Sequence, residues 1–318
     1  MIKVLVGHSR NHQSSTAVRE VIEQLYPSLD GLSPQAGILF CAEDFNHGLI
    51  LSVIQKNFPG IQVIGCTTNG EFSSLYGFTE NSLTFMVFVT YTAEIGAGVG
   101  KKVSLLCGKA GRLAAISSRL RLKHHLYQQR FAITFSPPLP DGIKGIEGGI
   151  REILGQTFPI FGAVQTAHPK GKHNYQFFNG EVLTDSVVLL LFAGAVSFSR
   201  GVSAVSFQGK TKAEDFFQQE NVDKTAVIPS CTDSIRQALA QYPGFRPAAA
   251  LFFSGSERKI LLGNQIIREA ETARYQLGNI PFCGFYPYCQ FGAAEINGGD
   301  ERTPFVTLLL GPNNLRDV

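Results

Sequence analysis

Three segments combine polar side chains with a leading glycine in a way that suits the binding of a small molecule. Gly65 opens GCTTNGEFSS, Gly162 opens GAVQTAHPKGKHNYQFFNG, and Gly284 opens GFYPYCQFG. Hydroxyl, amide, carboxylate and phenol groups orient a ligand through hydrogen bonds, and a glycine permits positive φ or close approach of the backbone. We expect three equivalent loops that form one ligand site; the alternative is that each glycine only turns the chain.

Two side chains of the first loop could also do covalent or proton-transfer chemistry. Glu71 could act as a general base or bind an amine, and Cys66 could act as a nucleophile. Neither has a histidine beside it in the sequence to activate it. We therefore expect a protein that is not an enzyme, with an enzyme that uses Cys66 and Glu71 as an alternative.

The histidines offer a second alternative, a haem site. His168 and His173 lie in the loop that follows Gly162, where an imidazole could bind a haem iron or a ligand. The seven histidines of the chain include no pair four residues apart on a clear helix, and no H-E-x-x-H, G-x-S-x-G or calcium-loop pattern occurs. We expect no metal site and no cofactor other than haem.

One glycine-rich segment imitates a nucleotide-binding motif. GAGVGKK (96–102) fails the P-loop pattern, which would require glycine at Ile95 and Ser or Thr at Lys102. It also fails G-x-G-x-x-G, whose last position is Lys101. We interpret the segment as a strand that contains glycines.

The elements that must position these loops follow an order that occurs three times: strand, helix, strand, loop, strand. First strands are predicted at 37–44, 131–138 and 249–256, and helices at 48–58, 143–158 and 263–276. Short apolar runs that stop at Gly65, Gly162 and Gly284 are second strands, and third strands are predicted at 83–91, 187–194 and 305–312.

This order predicts an α/β fold of repeated strand-helix-strand-loop-strand units with largely parallel or mixed sheets. A strand–helix–strand unit gives a parallel pair, and near-continuous apolar runs suit strands that are buried on both faces. Ligands bind outside the carboxyl ends of such strands, which here are the three glycine loops.

Composition narrows the class of protein. The 318 residues are 44% hydrophobic with a mean hydropathy of +0.06, which excludes general disorder. The longest apolar stretch, 186–198, is shorter than the roughly 20 residues that span a membrane, and the first residues lack a signal peptide. We expect a cytoplasmic protein with no membrane contact and no room for an output domain.

The charge distribution and the cysteines of the chain give two further expectations. The net charge is +3, and residues 95–140 contain eight Lys and Arg but no Asp or Glu. We interpret that stretch as a solvated helix face, with a surface for an anion or a partner as the alternative, and we expect no nucleic-acid partner. The six cysteines are spread singly without a C-x-x-C spacing, which predicts reduced and mostly buried thiols.

The chain resembles a known family. LVGHSRNHQSSTAV, ILFCAEDFNHGLILSVIQKNFPGIQVIGCTTNGEFS and FPIFGAVQTAHPKGKHNYQFFNGEVLTDSVVLLLFAG look like the two halves of the N-terminal FIST domain. LFFSGSERKILLG and IPFCGFYPYCQFGAAEINGGDERTPFVTLLLG are similar to the end of the C-terminal FIST domain. The resemblance implies an N-terminal domain of two repeat units over 1–200 and a C-terminal domain of one unit over 201–318, with weak similarity between about 200 and 245.

The resemblance also implies a function. FIST domains are prokaryotic cytoplasmic sensory modules for small ligands, amino acids among them, and they act with histidine kinases, diguanylate cyclases or chemotaxis receptors; some relatives bind haem and sense nitric oxide. No catalytic activity is established for the module. The implied ligand-binding residues are Cys66, Thr67, Thr68, Asn69, Gly70, Glu71, Gly284, Phe285, Tyr286 and Tyr288.

Two departures from the family pattern bear on the ligand. Cys289 and Gln290 stand where the family has Gly-Glu, and the second loop lacks a family acid. Losing two carboxylates weakens a site for an amine. We thus expect a non-catalytic sensory protein whose small ligand contacts Gly162, His168 and Gln290 as well as the residues above, with a haem-based nitric-oxide sensor acting on a separate kinase or cyclase as the alternative.

Overall fold

A computed structural model describes residues 2–124, 127–139, 142–166, 173–206, 224–291 and 302–313. His168 lies outside these ranges. The elements fall into three units of similar order. Unit 1 contains β1 (Ile2–Ser9), α1 (Ser14–Leu29), β2 (Ala36–Cys41), α2 (His47–Asn57), β3 (Gln62–Thr67), β4 (Glu71–Ser73), β5 (Gly77–Thr79) and β6 (Leu83–Thr90).

The other two units follow along the chain. Unit 2 contains β7 (Ala93–Lys101), α3 (Val103–Leu120), β8 (Gln129–Ser136), α4 (Gly142–Leu154), β9 (Ile160–Val164), β10 (Gln176–Phe178), β11 (Glu181–Leu183) and β12 (Ser186–Gly194). Unit 3 contains β13 (Val196–Ser206), α5 (Val227–Gln241), β14 (Ala249–Ser254), α6 (Ser256–Leu262), α7 (Ile267–Leu277), β15 (Phe282–Phe285), β16 (Cys289–Phe291) and β17 (Arg302–Pro312).

The strands form three mixed sheets, which confirms the predicted α/β class. Sheet 1 has the order β1-β6-β2-β3-β10-β11, sheet 2 the order β16-β9-β8-β12-β7, and sheet 3 the order β13-β17-β14-β15-β4-β5. The predicted parallel pairs are present as β2–β3, β8–β9 and β14–β15. Their neighbours β6, β12 and β17 run antiparallel to them.

Short strands are exchanged between the units in a cycle. The β4–β5 hairpin of unit 1 extends sheet 3 by pairing with β15. The β10–β11 hairpin of unit 2 pairs with β3 in sheet 1, and β16 of unit 3 pairs with β9 in sheet 2. Each exchanged strand follows one of the glycine loops, so the loops are the points where the chain crosses from its own sheet to another. The division predicted at residue 200 stays a prediction.

The inner faces of the three sheets pack against each other, and helices cover the outer faces. The central cluster includes Phe40 of sheet 1, Phe135 of sheet 2, and Phe253 and Phe285 of sheet 3. The Phe40 ring lies 5.3 Å from that of Phe135 and 4.8 Å from that of Phe285, as aromatic pairs prefer. None of the helices in the described ranges is long and apolar enough to span a membrane.

Segment 96–102 lies in β7, the glycine-containing strand that was expected, and in the residue after it. Gly96, Gly98 and Gly100 bring β7 against α3: an added Cβ would lie 2.1, 1.9 and 1.9 Å from carbonyl oxygens of that helix. Helix α3 carries part of the basic stretch on its outer face, where Arg112 forms an exposed ion pair with Glu152 of α4.

Candidate functional site

The three loop glycines lie where the second parallel strand of each unit passes closest to the first. A Cβ at Gly65 would stand 1.9 Å from the Leu39 carbonyl oxygen, and one at Gly162 would stand 1.9 Å from that of Thr134. At Gly284 the distance to the corresponding oxygen, on Phe252, is 2.4 Å. These positions accept no side chain, because real Cβ atoms do not approach backbone so closely. Gly162 also has a φ of +126°.

The loops that follow these strands meet one another. Gln165 Nε2 donates to the carbonyl oxygen and the hydroxyl of Thr67, both at 2.9 Å, and so joins the second loop to the first. The Thr166 hydroxyl donates to the Tyr286 carbonyl oxygen at 2.9 Å, which joins the second loop to the third. The first and third loops are joined by the pairing of Glu71 with Phe285 in sheet 3. The three loops therefore form a closed ring of contacts.

Glu71 is fully buried within this ring. The hydroxyls of Thr68 and Ser82 each donate to one of its two carboxylate oxygens. Burial raises the pKa of Glu71 to about 7, while those two hydrogen bonds and the Lys259 ammonium act in the opposite direction. A carboxyl group with this pKa exchanges its proton near neutral pH, which is the property that a general base or a site for a cationic group requires.

Lys259 brings a positive charge to the first loop from α6 of unit 3. Its Nζ donates to the Asn69 carbonyl oxygen at 2.6 Å and pairs with Glu80 Oε1 at 2.6 Å. It also lies 5.4 Å from the centre of the Phe78 ring. Gly70, between Asn69 and Glu71, has a φ of +114° and is buried. The turn that presents Glu71 is thus fixed by a glycine conformation and by an ammonium group from another unit.

A chain of hydrogen bonds leads from Glu71 to a buried histidine. Ser82, which donates to Glu71, accepts from the Thr79 hydroxyl at 2.8 Å, and Thr79 Oγ1 lies 2.7 Å from His8 Nε2. Because the single hydroxyl proton of Thr79 goes to Ser82, His8 Nε2 must be the donor. His8 Nδ1 then accepts from Ser73 Oγ at 2.7 Å. Burial, and secondarily the charge of Arg10, lowers the pKa of His8 to about 4, so its ring is neutral at pH 7.

These two groups make opposite contributions to the pH dependence of stability. Glu71, whose pKa is raised to about 7, stabilises the fold in its protonated form, so its contribution is lost as pH rises from about 4.5 to 7. His8, whose pKa is lowered from 6.5 to about 4, stabilises the fold when neutral, so its contribution is lost as pH falls through that interval. Between about pH 4.5 and 6.5 the two slopes cancel.

We expect single variants to reveal the two slopes. Urea unfolding of Glu71→Gln should give a free energy of unfolding that rises with pH between 4.5 and 6.5, and His8→Gln should give one that falls. Each slope approaches about 1.4 kcal/mol per pH unit, the value for one proton. The double variant is the control: it gives the slope due to the other titrating groups, among them His47, whose pKa burial also lowers, and each single variant is compared with it. Parallel pH profiles for the two single variants would contradict this assignment.

Cys66 does not have the environment of a nucleophile. It is fully buried in β3 and belongs to the central apolar cluster. Burial, and secondarily the charge of Glu71, raises the pKa of its thiol well above the usual value, so a thiolate does not form near neutral pH. Thr67, the next residue, is also buried, and its hydroxyl accepts from Tyr175 N at 3.0 Å.

In the third loop, one polar side chain is held in a buried hydrogen-bond network and two others are not. Tyr286 is buried, and its hydroxyl donates to Glu269 Oε2 at 2.7 Å, within the buried ion pair of Glu269 and Arg258. Tyr288 is 46% exposed. Gln290 is mostly buried, and its Nε2 has no hydrogen-bond partner among the described residues. Since a buried amide donor without a partner is costly, Gln290 is the group of this loop that is best placed for a ligand.

The second loop is described only in part. His173 is exposed, and its backbone N–H donates to Glu43 Oε1 at 3.0 Å. From this position the imidazole could reach an iron only at the surface. The haem site predicted from His168 or His173 stays a prediction.

Several groups of the site carry no signal in the sequence. His8 and Thr79 are 71 residues apart, and Lys259 meets Asn69 across 190 residues. Ser82 and Thr79 lie outside the loops that the motifs single out. The Lys259 contact arises from the strand exchange, which places β4 and β5 against unit 3.

Comparison with known proteins gives one family and a set of similar folds. Residues 35–220 match the model of the FIST N domain. The C-terminal FIST domain is not shown, so that part of the resemblance stays a prediction. No curated protein sequence matches the chain.

Three solved structures that resemble the chain are enzymes. A cyanuric acid hydrolase from A. caulinodans has a TM-score of 0.47 and 10% identity, covering 97% of this chain and 99% of its own. Another cyanuric acid hydrolase has a TM-score of 0.40 and 10% identity, covering 98% and 100%. A chorismatase has a TM-score of 0.46 and 8% identity, covering 98% of each.

These structures correct one expectation from the sequence. We expected a protein that is not an enzyme; the similar structures are enzymes, and the expectation is withdrawn. With TM-scores below 0.5 they identify neither an activity nor a substrate for this chain.

Proposed function

The chain belongs to the FIST N domain family, a family of small-ligand sensory domains, and from this premise we propose that it binds its ligand where the three glycine loops meet. The observation that carries the proposal is Glu71: a buried carboxyl group, with a pKa raised to about 7, in the loop that contacts both of the other loops. Such a group is expensive to bury unless it serves a purpose there.

The chemistry of the junction favours a ligand with a cationic amine. An ammonium group beside Glu71 stabilises the ionised carboxylate, so binding near pH 7 releases a proton from the protein. Gln290 Nε2 offers a hydrogen-bond donor, and Lys259 offers a positive charge for a ligand carboxylate. An amino acid carries both required groups, which agrees with the ligands implied by the family resemblance.

Thermal unfolding with a panel of amino acids and simple primary amines tests the proposal. A ligand at about 100 times its Kd adds about 2.7 kcal/mol to the free energy of unfolding, so Tm should rise for at least one member. Glu71→Gln should abolish the shift. Glu152→Gln, which alters an exposed ion pair on α4, is the matched control and should keep it. A panel without any shift, or an equal shift in Glu71→Gln, would count against the site.

Ligand occupancy must then be communicated to an effector. We propose a separate signalling protein, such as a histidine kinase or a diguanylate cyclase, as that partner. The support is the sensory family together with the ring of loops: a ligand that orders one loop changes contacts that each unit makes with the next.

A further inference from the structure

The first strand of each unit lies at the edge of its sheet and leaves one side of its backbone open. These strands are β1, β7 and β13. In each unit, a side chain of the helix that follows this strand forms hydrogen bonds with backbone groups on its open side. Gln24 bonds both backbone groups of His8, at 2.8 and 2.9 Å, Ser117 accepts from Val99 N at 2.9 Å, and Gln237 accepts from Val202 N at 3.2 Å. His8, Val99 and Val202 are therefore equivalent positions.

In unit 2 the next part of the edge is occupied by a side-chain amide from unit 1. Gln62 Nε2 donates to the Ile95 carbonyl oxygen at 2.7 Å, and Ala97 N donates to Gln62 Oε1 at 2.7 Å. The amide thus makes the two bonds that a peptide group of an added strand would make. The Gln62 amide therefore shows which groups can hydrogen-bond to the outer edge of this strand.

The equivalent edge of β1 in unit 1 is open. Counting back from His8, Val6 and Val4 correspond to Ala97 and Ile95, and their backbone groups point outward because alternate residues of an antiparallel strand face the same side. No described residue forms a hydrogen bond with these outward-facing backbone groups of Val4 and Val6. The segments IQVIG, FPIFG and IPFCG place Pro281 at the position of Gln62. A proline side chain has no donor or acceptor, so it cannot fill the edge as glutamine does.

A groove of about 880 Å³ runs along this open edge, and Val4, Val6, Tyr76 and Pro281 are among the residues that line it. Lys3 and Arg274 are the charged residues among them, and both are positive. An unpaired strand edge next to a groove is a template for an extended peptide, whose backbone bonds the edge while its side chains occupy the groove.

We propose that this groove docks an acidic, extended peptide segment of a partner protein, which adds to β1 as a strand. The open backbone groups of Val4 and Val6 take the place that Gln62 fills in unit 2, and Lys3 and Arg274 attract the carboxylates of the segment. The groove shares no residue with the ligand site around Glu71, so docking and small-ligand binding can fail independently.

Binding of the probe acetyl-(Glu-Val)₃-amide tests the proposal. Fluorescence anisotropy of labelled peptide should show saturable binding to the wild type, and Pro281→Gln should weaken it by about tenfold or more, because the new amide competes for Val4 and Val6. Pro159→Gln makes the same substitution at the equivalent position of unit 2 and should leave affinity within about twofold. Hydrogen exchange on the wild type, which needs no variant, should show new protection of the Val4 and Val6 amides.

Four outcomes overturn the proposal. An absence of saturable binding removes the site, and equal binding of acetyl-(Lys-Val)₃-amide removes the acidic partner. Equal affinity of Pro281→Gln and wild type, with the variant shown to be folded by its unfolding curve, removes the β1 edge. Sedimentation at the concentrations of the titration completes the design, since a dimer through β1 would make a second copy of the chain the occupant.

Discussion

Replacing Arg258 with methionine is expected to lower the free energy of unfolding by about 3–5 kcal/mol, the usual cost of leaving one partner of a buried ion pair alone. Both side chains of the Arg258–Glu269 pair are fully buried, with Nη2 and Oε1 2.7 Å apart. Arg258 also donates to Ser230 Oγ at 2.8 Å and to the Val227 carbonyl oxygen at 2.6 Å. The substitution therefore leaves the buried Glu269 carboxylate without its counter-charge, and it removes one donor each from Ser230 Oγ and the Val227 carbonyl oxygen. Urea unfolding at pH 7 measures the change.

An exposed pair and a double variant provide the controls. Lys101→Met removes a pair with Glu181 in which both side chains are more than half exposed, and it should change stability by less than about 1 kcal/mol. Arg258→Met combined with Glu269→Leu should recover part of the loss, since it removes the stranded charge. If the Arg258→Met and Lys101→Met proteins had the same free energy of unfolding, the buried pair would not stabilise unit 3.

The same pair affects how the third loop is understood. Sequence motifs place Tyr286 among ligand-binding residues, yet its hydroxyl is bonded to Glu269 within this network. Arg258 lies in α6 and Glu269 in α7, eleven residues further along the chain. A ligand could still contact the loop through Gln290. The role of Tyr286 as a ligand contact stays a prediction.

Local patterns in the sequence predict the order of elements because each depends on neighbouring residues. The apolar run at 37–44 becomes β2 (Ala36–Cys41), and the predicted helix at 48–58 becomes α2 (His47–Asn57). The helix predicted at 263–276 is shorter as α7 (Ile267–Leu277), because Gly263, with a φ of +47°, ends α6 just before it. Hydrophobic periodicity and breakers are sufficient for this level of description.

The strand exchange lies beyond such patterns. Strands β4, β5, β10, β11 and β16 are three residues each, too short for a period of two to identify a partner. Their partners are set by the closure of three units around one apolar centre, which depends on contacts far apart in sequence. For this reason the first loop could be recognised from GCTTNGEFS, whereas the chain from Glu71 to His8 could not.

Gly162→Ala is expected to be among the most destabilising single substitutions in the protein, at about 3–5 kcal/mol. Two costs add at this residue. Its φ of +126° is disfavoured for alanine, which costs about 1–3 kcal/mol, and its added Cβ would stand 1.9 Å from the Thr134 carbonyl oxygen, where overpacking costs a similar amount. Strands β8 and β9 must separate to accept the methyl group, and the parallel pair that positions the second loop is lost.

Gly148→Ala isolates these costs from the general effect of replacing a glycine. Gly148 lies in α4 of the same unit, and an added Cβ there meets nothing within 4 Å. Alanine in a helix should stabilise the protein by about 0.5–1 kcal/mol, so the two variants should shift the urea midpoint in opposite directions. A stabilising shift for Gly162→Ala would mean that neither cost applies at this residue. Opposite shifts would mean that the backbone conformation of Gly162 and the close approach of β8 and β9 together require glycine where the second loop begins.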